Sequence, residues 1–158
     1  MYIDYDDYVQ LYDPIEEKEF TRLVFEAERT MDKYTTGIDG FCKLRKAMPV
    51  DEHDRTAVKH CTASIVYLLH SINRVQQFGG WDETEHGVRG RVISSISSGN
   101  ESISYSAGTA TAIEKAASDL SIRRSLVAQT IRDYLSGVHD SNGVGLLYMG
   151  PYPGGRVC

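Results

Sequence analysis

The sequence is poor in the residues that staple small folds or build reactive sites. Its three cysteines, Cys42, Cys61 and Cys158, are an odd number at wide spacing. There is no CxxC pair, so no disulfide framework or zinc site is expected, and the thiols read as the reduced cysteines of a cytosolic protein. Cys158 is the last residue, not the fourth from the end that prenylation requires. No apolar run approaches the roughly 18 residues needed to span a bilayer. The stretch from Met1 to Asp7 is acidic and lacks the basic and apolar regions of a signal peptide, so none is expected. Positive charge is also scarce: 17 Lys and Arg stand against 22 Asp and Glu, a formal net charge of −5. Broad binding to a phosphate backbone needs cations that displace counterions, and this balance argues against it. An acidic wall can still face a duplex that must slide past without sticking.

The motifs of common chemistries are missing as well. There is no G-x-x-x-x-G-K-S/T phosphate loop, no G-x-G-x-x-G between a strand and a helix, no G-x-S-x-G and no calcium loop of alternating carboxylates. Gly79-Gly80, Gly87 to Gly90, Gly143 to Gly145 and Gly154-Gly155 read as flexible connections. His53 and His60 lie seven apart on one helix, two turns from each other, too far for one metal without a third ligand. Cys61 follows His60 but points about 100° away round the helix. A Cys–His pair from Cys42 with His60 or His70 has no support in the spacing. The acidic lead-in, Asp4, Asp6, Asp7, Asp13, Glu16, Glu17 and Glu19, reads as solvated helix surface. No catalytic, cofactor-binding or metal-binding residue is therefore expected.

What the sequence does have is apolar periodicity. At 158 residues, 41% hydrophobic and 25% charged, it suits one soluble globular domain. A short helix is predicted over Tyr5 to Tyr12, ended by Asp13-Pro14. From Ile15, the residues Phe20, Leu23, Val24, Ala27, Met31 and Tyr34 recur in steps of three and four, one stripe of a helix. Thr36-Gly37 is the predicted stop, with Gly37 as a left-handed cap. Phe41 to Met48 suits a short helix closed by Pro49. Asp51 precedes the longest helical signal, Arg55 to Gln77, with Val58, Cys61, Ile65, Leu68, Ile72 and Val75 on one face and Ala57, Val66 and Leu69 widening it. Val92 to Tyr105 changes to Ser and Ile with alternating apolar positions around Ser98-Gly99-Asn100, a hairpin or extended arm. Thr111 to Ser136 returns to helix, as one or two pieces, with Asp119 or Ser121 available to cap a fresh start. The predicted core is three stripes: Phe20 to Met31, Val58 to Ile72 including Leu68 and Leu69, and Leu126, Val127, Ile131 and Leu135. The fold class expected is mainly α: a small helical bundle with an arm near 92–106 in a domain over 1–137, and an extended C-terminal tail over 138–158.

Three segments, in this order, resemble the head–tail connector (adaptor, or head-completion) proteins of tailed bacteriophages and prophages. The first is Tyr8 to Tyr34, where a Tyr-containing lead-in precedes Glu19-Phe20, Arg22-Leu23, Ala27 and Met31-Asp32, then Thr35. The second is the Ser/Ile segment Ile93 to Ser106 between the second long helix and the last. The third is Asp133-Tyr134-Leu135 closing the final helix, followed by Gly145-Leu146-Leu147-Tyr148-Met149-Gly150. The Gly-rich stretch Val138 to Val144 departs from the pattern.

The resemblance implies a structural virion protein without enzymatic activity or cofactors. It implies a ring, usually twelve-fold, of copies packed head to tail beneath the portal protein. The ring would join the DNA-filled head to a tail-side stopper or tail terminator protein and continue the DNA channel. The expected location is the virion neck, after synthesis in the bacterial host cytoplasm, with no membrane contact. It also points to the C-terminal segment as the grip on the portal, through Leu146, Leu147, Tyr148, Met149, Pro151 and Tyr152. These residues show no helical or strand period that would bury them in their own domain. The acid excess predicts a ring lumen that is neutral to negative. A small cytosolic helical adaptor or regulatory protein is the alternative. A helix-turn-helix DNA reader fits poorly, because Arg123, Arg124 and Arg132 in the last helix are offset by Asp119 and Asp133.

Overall fold

In the computed structural model the described residues are 1–78, 95–98, 101–104 and 111–153, the two short central stretches by their backbone. They form six helices and a two-stranded hairpin: α1 (Tyr5–Leu11), α2 (Glu17–Thr35), α3 (Lys43–Lys46), α4 (Glu52–Phe78), β1 (Ser95–Ser98), β2 (Glu101–Ser104), α5 (Ala112–Ser118) and α6 (Leu120–Leu135). The protein is mainly α, as the apolar periodicity predicts. The chain divides into one compact unit of Met1–Leu69 with Ser125–Cys158 and another of His70–Arg124.

Short polar side chains set the helix boundaries. Asp4 accepts a hydrogen bond from the Asp7 N–H at 2.8 Å and caps α1. Asp51 accepts from the N–H groups of His53 (2.9 Å) and Asp54 (3.2 Å) at the start of α4. Asp119 interrupts the last helical stretch with φ −127° and ψ 113°. Its carboxylate then accepts from the Ser121 N–H at 2.7 Å, so the stretch is two helices with Asp119 as the fresh cap. Gly137 adopts φ 84° just beyond α6, the left-handed stop that glycine allows.

Gly37 does not play that part. Thr36 follows α2 in extended conformation, and Gly37 is absent from the positive-φ positions. Glycine is needed there for closeness instead. A Cβ on Gly37 would stand 2.8 Å from the Gly150 carbonyl oxygen.

The core of the first unit joins the predicted stripes. Phe20, Leu23, Val24, Ala27 and Met31 of α2 meet Val58, Cys61, Ile65, Val66 and Leu69 of α4 and Val127, Ile131 and Leu135 of α6, all buried. Each fully buried side chain of this size contributes about 1.5–3 kcal/mol. Leu68 and Leu126 are only half-buried, at the margin of their stripes. Four further segments enter the same core with Ile3, Tyr8, Leu44 and the pair Val138 and Leu146.

Burial of Leu146 corrects the expectation that nothing in its own domain would cover it. The chain beyond α6 makes a tight turn before it leaves the core. His139 and Gly145 form an antiparallel bridge, and the Leu146 N–H donates to the Val138 carbonyl at 2.9 Å. Asp140 holds that turn by accepting from the N–H groups of Asn142 and Val144, both at 2.9 Å. The segment read as an extended tail from Val138 is thus tied to the bundle as far as Tyr152.

In the second unit, Thr111 and Glu114 form a reciprocal capping box at the start of α5. Gln76 of α4 donates from its side chain to the Ala117 carbonyl at 2.7 Å. The hairpin pairs Ile96 with Ile103 and Ser97 with Ser102. The rest of the arm read over 92–106 lies outside the described residues, as do Cys158 and the end of the tail.

Candidate partner-binding surface

The six residues singled out in the C-terminal segment divide into two groups. Leu146 is fully buried, Leu147 packs half-buried against the core, and Tyr152 is half-buried. Tyr148 (47% exposed), Met149 (53% exposed) and Pro151 face solvent. The first group holds the segment down, and the second is what a partner can touch.

The hold is polar and aromatic at once. The Tyr152 N–H donates to Asp39 at 2.8 Å, and its hydroxyl donates to Asp140 at 2.6 Å. Asn142 donates from its side chain to the same hydroxyl at 2.7 Å. The Tyr152 ring stacks on Phe41 with centroids 4.0 Å apart, and the Lys46 ammonium sits 5.2 Å from the Phe41 ring centre. The backbone N–H of Ile38 donates to the Met149 carbonyl at 3.1 Å, so the loop after α2 and the C-terminal segment run side by side.

These contacts shape the local electrostatics. The Tyr152 N–H and then the Phe41 N–H hold the Asp39 carboxyl below the usual carboxylate range. Burial and the hydrogen bond to Asp140 push the Tyr152 hydroxyl up. Lys43, 1% exposed, donates its ammonium to the Thr35 carbonyl at 2.9 Å. Burial pushes its pKa down, against the attraction of Asp140, Asp39 and Cys42. Asp32, also buried, gathers the Tyr2 hydroxyl and the Arg45 guanidinium, the latter at 2.5 Å. Asp32 thus ties the N-terminus to α2 and α3, while Asp39 ties the loop after α2 to the C-terminal segment.

The loop also adds a residue that the sequence pattern does not single out. Ile38 is 78% exposed beside Met149. Ile38 on the loop and Tyr148, Met149 and Pro151 on the clasped segment are exposed apolar side chains on two stretches of chain joined by the Ile38–Met149 backbone bond. Comparison of the chain with protein-family models, curated proteins and solved structures gives no match.

The residues considered for reactive chemistry lie elsewhere. Cys42 directs its sulfur toward the Asp32 carboxylate at 3.6 Å and the Thr35 hydroxyl at 3.9 Å. Cys61 is fully buried, and burial pushes its thiol up to about 12, so little thiolate forms near neutrality. His53 is exposed and His60 half-buried. Among the described residues, no three His, Cys, Asp or Glu side chains gather as a metal site would require. No described helix is long and apolar enough to cross a membrane.

The sequence signals for this surface were partial. Asp140 to Gly143 reads as turn chemistry, an Asp followed by Ser, Asn and Gly. Nothing in the spacing linked that turn to Tyr152, or Tyr152 to Asp39, 113 residues away.

Proposed function

We propose that this protein is a structural head–tail connector subunit: a ring-forming virion protein of the phage neck that docks under the portal. The single observation carrying this reading is the set of exposed apolar side chains Ile38, Tyr148, Met149 and Pro151 on these joined stretches. Three of the four, Tyr148, Met149 and Pro151, lie on the C-terminal segment that the family resemblance points to. Large apolar side chains held exposed on an ordered support are what a protein interface uses as anchors. Because Leu146, Leu147 and Tyr152 already fix the segment, little chain entropy is lost when a partner covers these side chains.

The portal contact is thus assigned to Tyr148, Met149 and Pro151 with Ile38, while Leu146, Leu147 and Tyr152 act from below. Mechanism is adhesion and geometry: copies packed side by side continue the channel, with a neutral to negative lumen past which DNA slides.

The test is co-expression with the portal protein of the same genome, followed by affinity capture and negative-stain microscopy. Rings seated on portals are expected from the natural chain. The double substitution Tyr148→Asp and Met149→Asp should abolish capture while the circular dichroism melt stays within about 2 °C, as exposed sites allow. Capture without any effect of these changes would move the contact elsewhere. Failure of the natural chain to bind portals would overturn the connector reading and favour a small helical adaptor.

A further inference from the structure

A second surface of the first unit, away from the C-terminal segment in sequence, has the chemistry of a cation site. It is a groove of about 460 Å³ lined by Val9, Gln10, Leu11, Tyr12, Asp13 and Tyr67. Two stacked rings stand in its wall, Tyr12 on Tyr67 at 4.7 Å with only 16° between their planes, and the buried Tyr8 ring stacks behind Tyr12 at 5.7 Å. The Tyr12 hydroxyl is tied to Ser64 at 2.8 Å, and Ser64 donates to the Tyr134 hydroxyl at 3.0 Å, so the middle ring is fixed. Tyr67 at the end of the stack is 43% exposed.

The groove offers acceptors, the Asp13 carboxylate and the last carbonyls of α1, beside the side-chain amide of Gln10 and the hydroxyl of Tyr67. Asp13 is exposed, and no Lys or Arg among the described residues pairs with it. The chain turns extended at Tyr12 (φ −138°, ψ 162°). The Tyr12 N–H returns to the Tyr8 carbonyl at 3.0 Å, which leaves the carbonyls of Val9, Gln10 and Leu11 with no following turn to bond them. Under the rings, the Tyr8 hydroxyl is buried and hydrogen-bonded to no described residue. Its titration is raised to about 12 by burial first, and then by Tyr12, Tyr67 and Asp13, which places it electrostatically close to the groove.

Aromatic faces, an exposed carboxylate and helix-end carbonyls share one complement, a planar cation that donates several hydrogen bonds. We propose that the groove takes an arginine side chain of a partner polypeptide, its guanidinium lying on Tyr67 and donating to Asp13 and the last carbonyls of α1. Arginine fits better than lysine because its flat fork stacks on a ring and donates in two directions together. A polypeptide fits better than free arginine because Leu11, 42% exposed at the rim, offers apolar contact to flanking residues, and none of the described lining residues is a cation that would receive a free carboxylate. The net charge of −5 favours approach of a basic segment. The groove would take such a side chain whether or not the protein forms a ring.

The experiment is a backbone NMR titration of the full ¹⁵N-labelled chain with four probes: acetyl-Leu-Arg-Leu-amide, its lysine and citrulline counterparts, and free L-arginine. Saturable shifts at residues 9–13 and 67 are expected with the arginine peptide. Binding should be weaker by about tenfold for lysine, citrulline and free arginine, as loss of the fork, the charge or the flanking contacts implies. Asp13→Asn and Tyr67→Ser, both at exposed positions, should each weaken the arginine peptide by about fivefold or more while leaving the other resonances in place. Equal binding of the citrulline peptide would overturn the cation assignment. Equal binding of free arginine would make this a small-molecule site and overturn the partner assignment. Shifts that fail to saturate, fall elsewhere or survive both substitutions would refute the groove itself.

Discussion

Replacing Leu146 with Ala tests whether the C-terminal segment belongs to the core or merely lies near it. Leu146 is 0% exposed in the cluster that includes Val138 and the α2, α4 and α6 stripes. Truncating a fully buried Leu removes its transfer free energy and leaves a cavity, about 2–5 kcal/mol together. The stiff surroundings favour the upper half: the His139–Gly145 bridge and the Asp140-held turn keep the backbone from collapsing into the gap. At about 2–4 °C per kcal/mol for a chain of this size, about 3.5–5 kcal/mol lowers the melting midpoint by about 7–20 °C. Met149→Ala is the matched control, since at 53% exposure it should cost under about 0.5 kcal/mol. The assay is thermal and urea unfolding followed by circular dichroism at 222 nm. A Leu146→Ala midpoint within about 1 °C of the natural chain would refute the placement of this residue in the core. Equal losses from Leu146→Ala and Met149→Ala would refute the division of the segment into a buried hold and an exposed face. It also follows that truncation after Val144 should damage folding as well as binding, so it cannot separate the two.

Three further outcomes follow from the packing. Ile131→Ala should cost about 2–5 kcal/mol in urea unfolding and Leu68→Ala distinctly less, because Ile131 is fully buried and Leu68 half-exposed at the edge of its stripe. Gly37→Ala should destabilise by about 1–3 kcal/mol, since its Cβ would press on the Gly150 carbonyl, and hydrogen exchange of the Ile38 amide, bonded to Met149, should rise with it. Cys61 ordinarily titrates at 9.0 and is pushed up to about 12 by burial, so the folded state keeps a proton that the unfolded chain releases. Its contribution is therefore present below pH 9 and lost as pH rises from 9 toward 12; urea midpoints across that window should fall less steeply in Cys61→Ala than in the natural chain.

The helices were legible because their causes are local. Apolar residues three and four apart declared α2, α4 and α6, and short carboxylates before them supplied the caps at Asp51 and Asp119. The stripe from Phe20 to Met31 was readable entire, since a helix covered on one side imposes its period on the sequence. Leu68 and Leu126 were harder: they lie at the margins of their stripes, where one step of about 100° separates core from rim, and only the neighbouring helices decide how far the cover extends. Gly37 shows the same limit in another form. A glycine after a helix suggests a left-handed cap, yet here the requirement comes from Gly150, brought against it by folding.

The candidate surface was half visible. Leu146 to Tyr152 stood out as apolar residues after a Gly-rich turn, but a segment without period carries no record of which side chains turn inward. That choice was made by contacts distant in sequence: Asp39 and Phe41 receiving Tyr152, and the core receiving Leu146. The groove at Tyr12 and Tyr67 was likewise invisible, because stacking the ring that follows α1 on one from α4 depends on how those helices pack. The sequence by itself determined the helical class, the main helices and the centres of their interior stripes, all set by interactions within a few turns of chain. Only the tertiary structure decided which apolar residues of the C-terminal segment are covered, which remain for a partner and which polar groups meet, because burial and pairing there depend on segments that nothing local brings together.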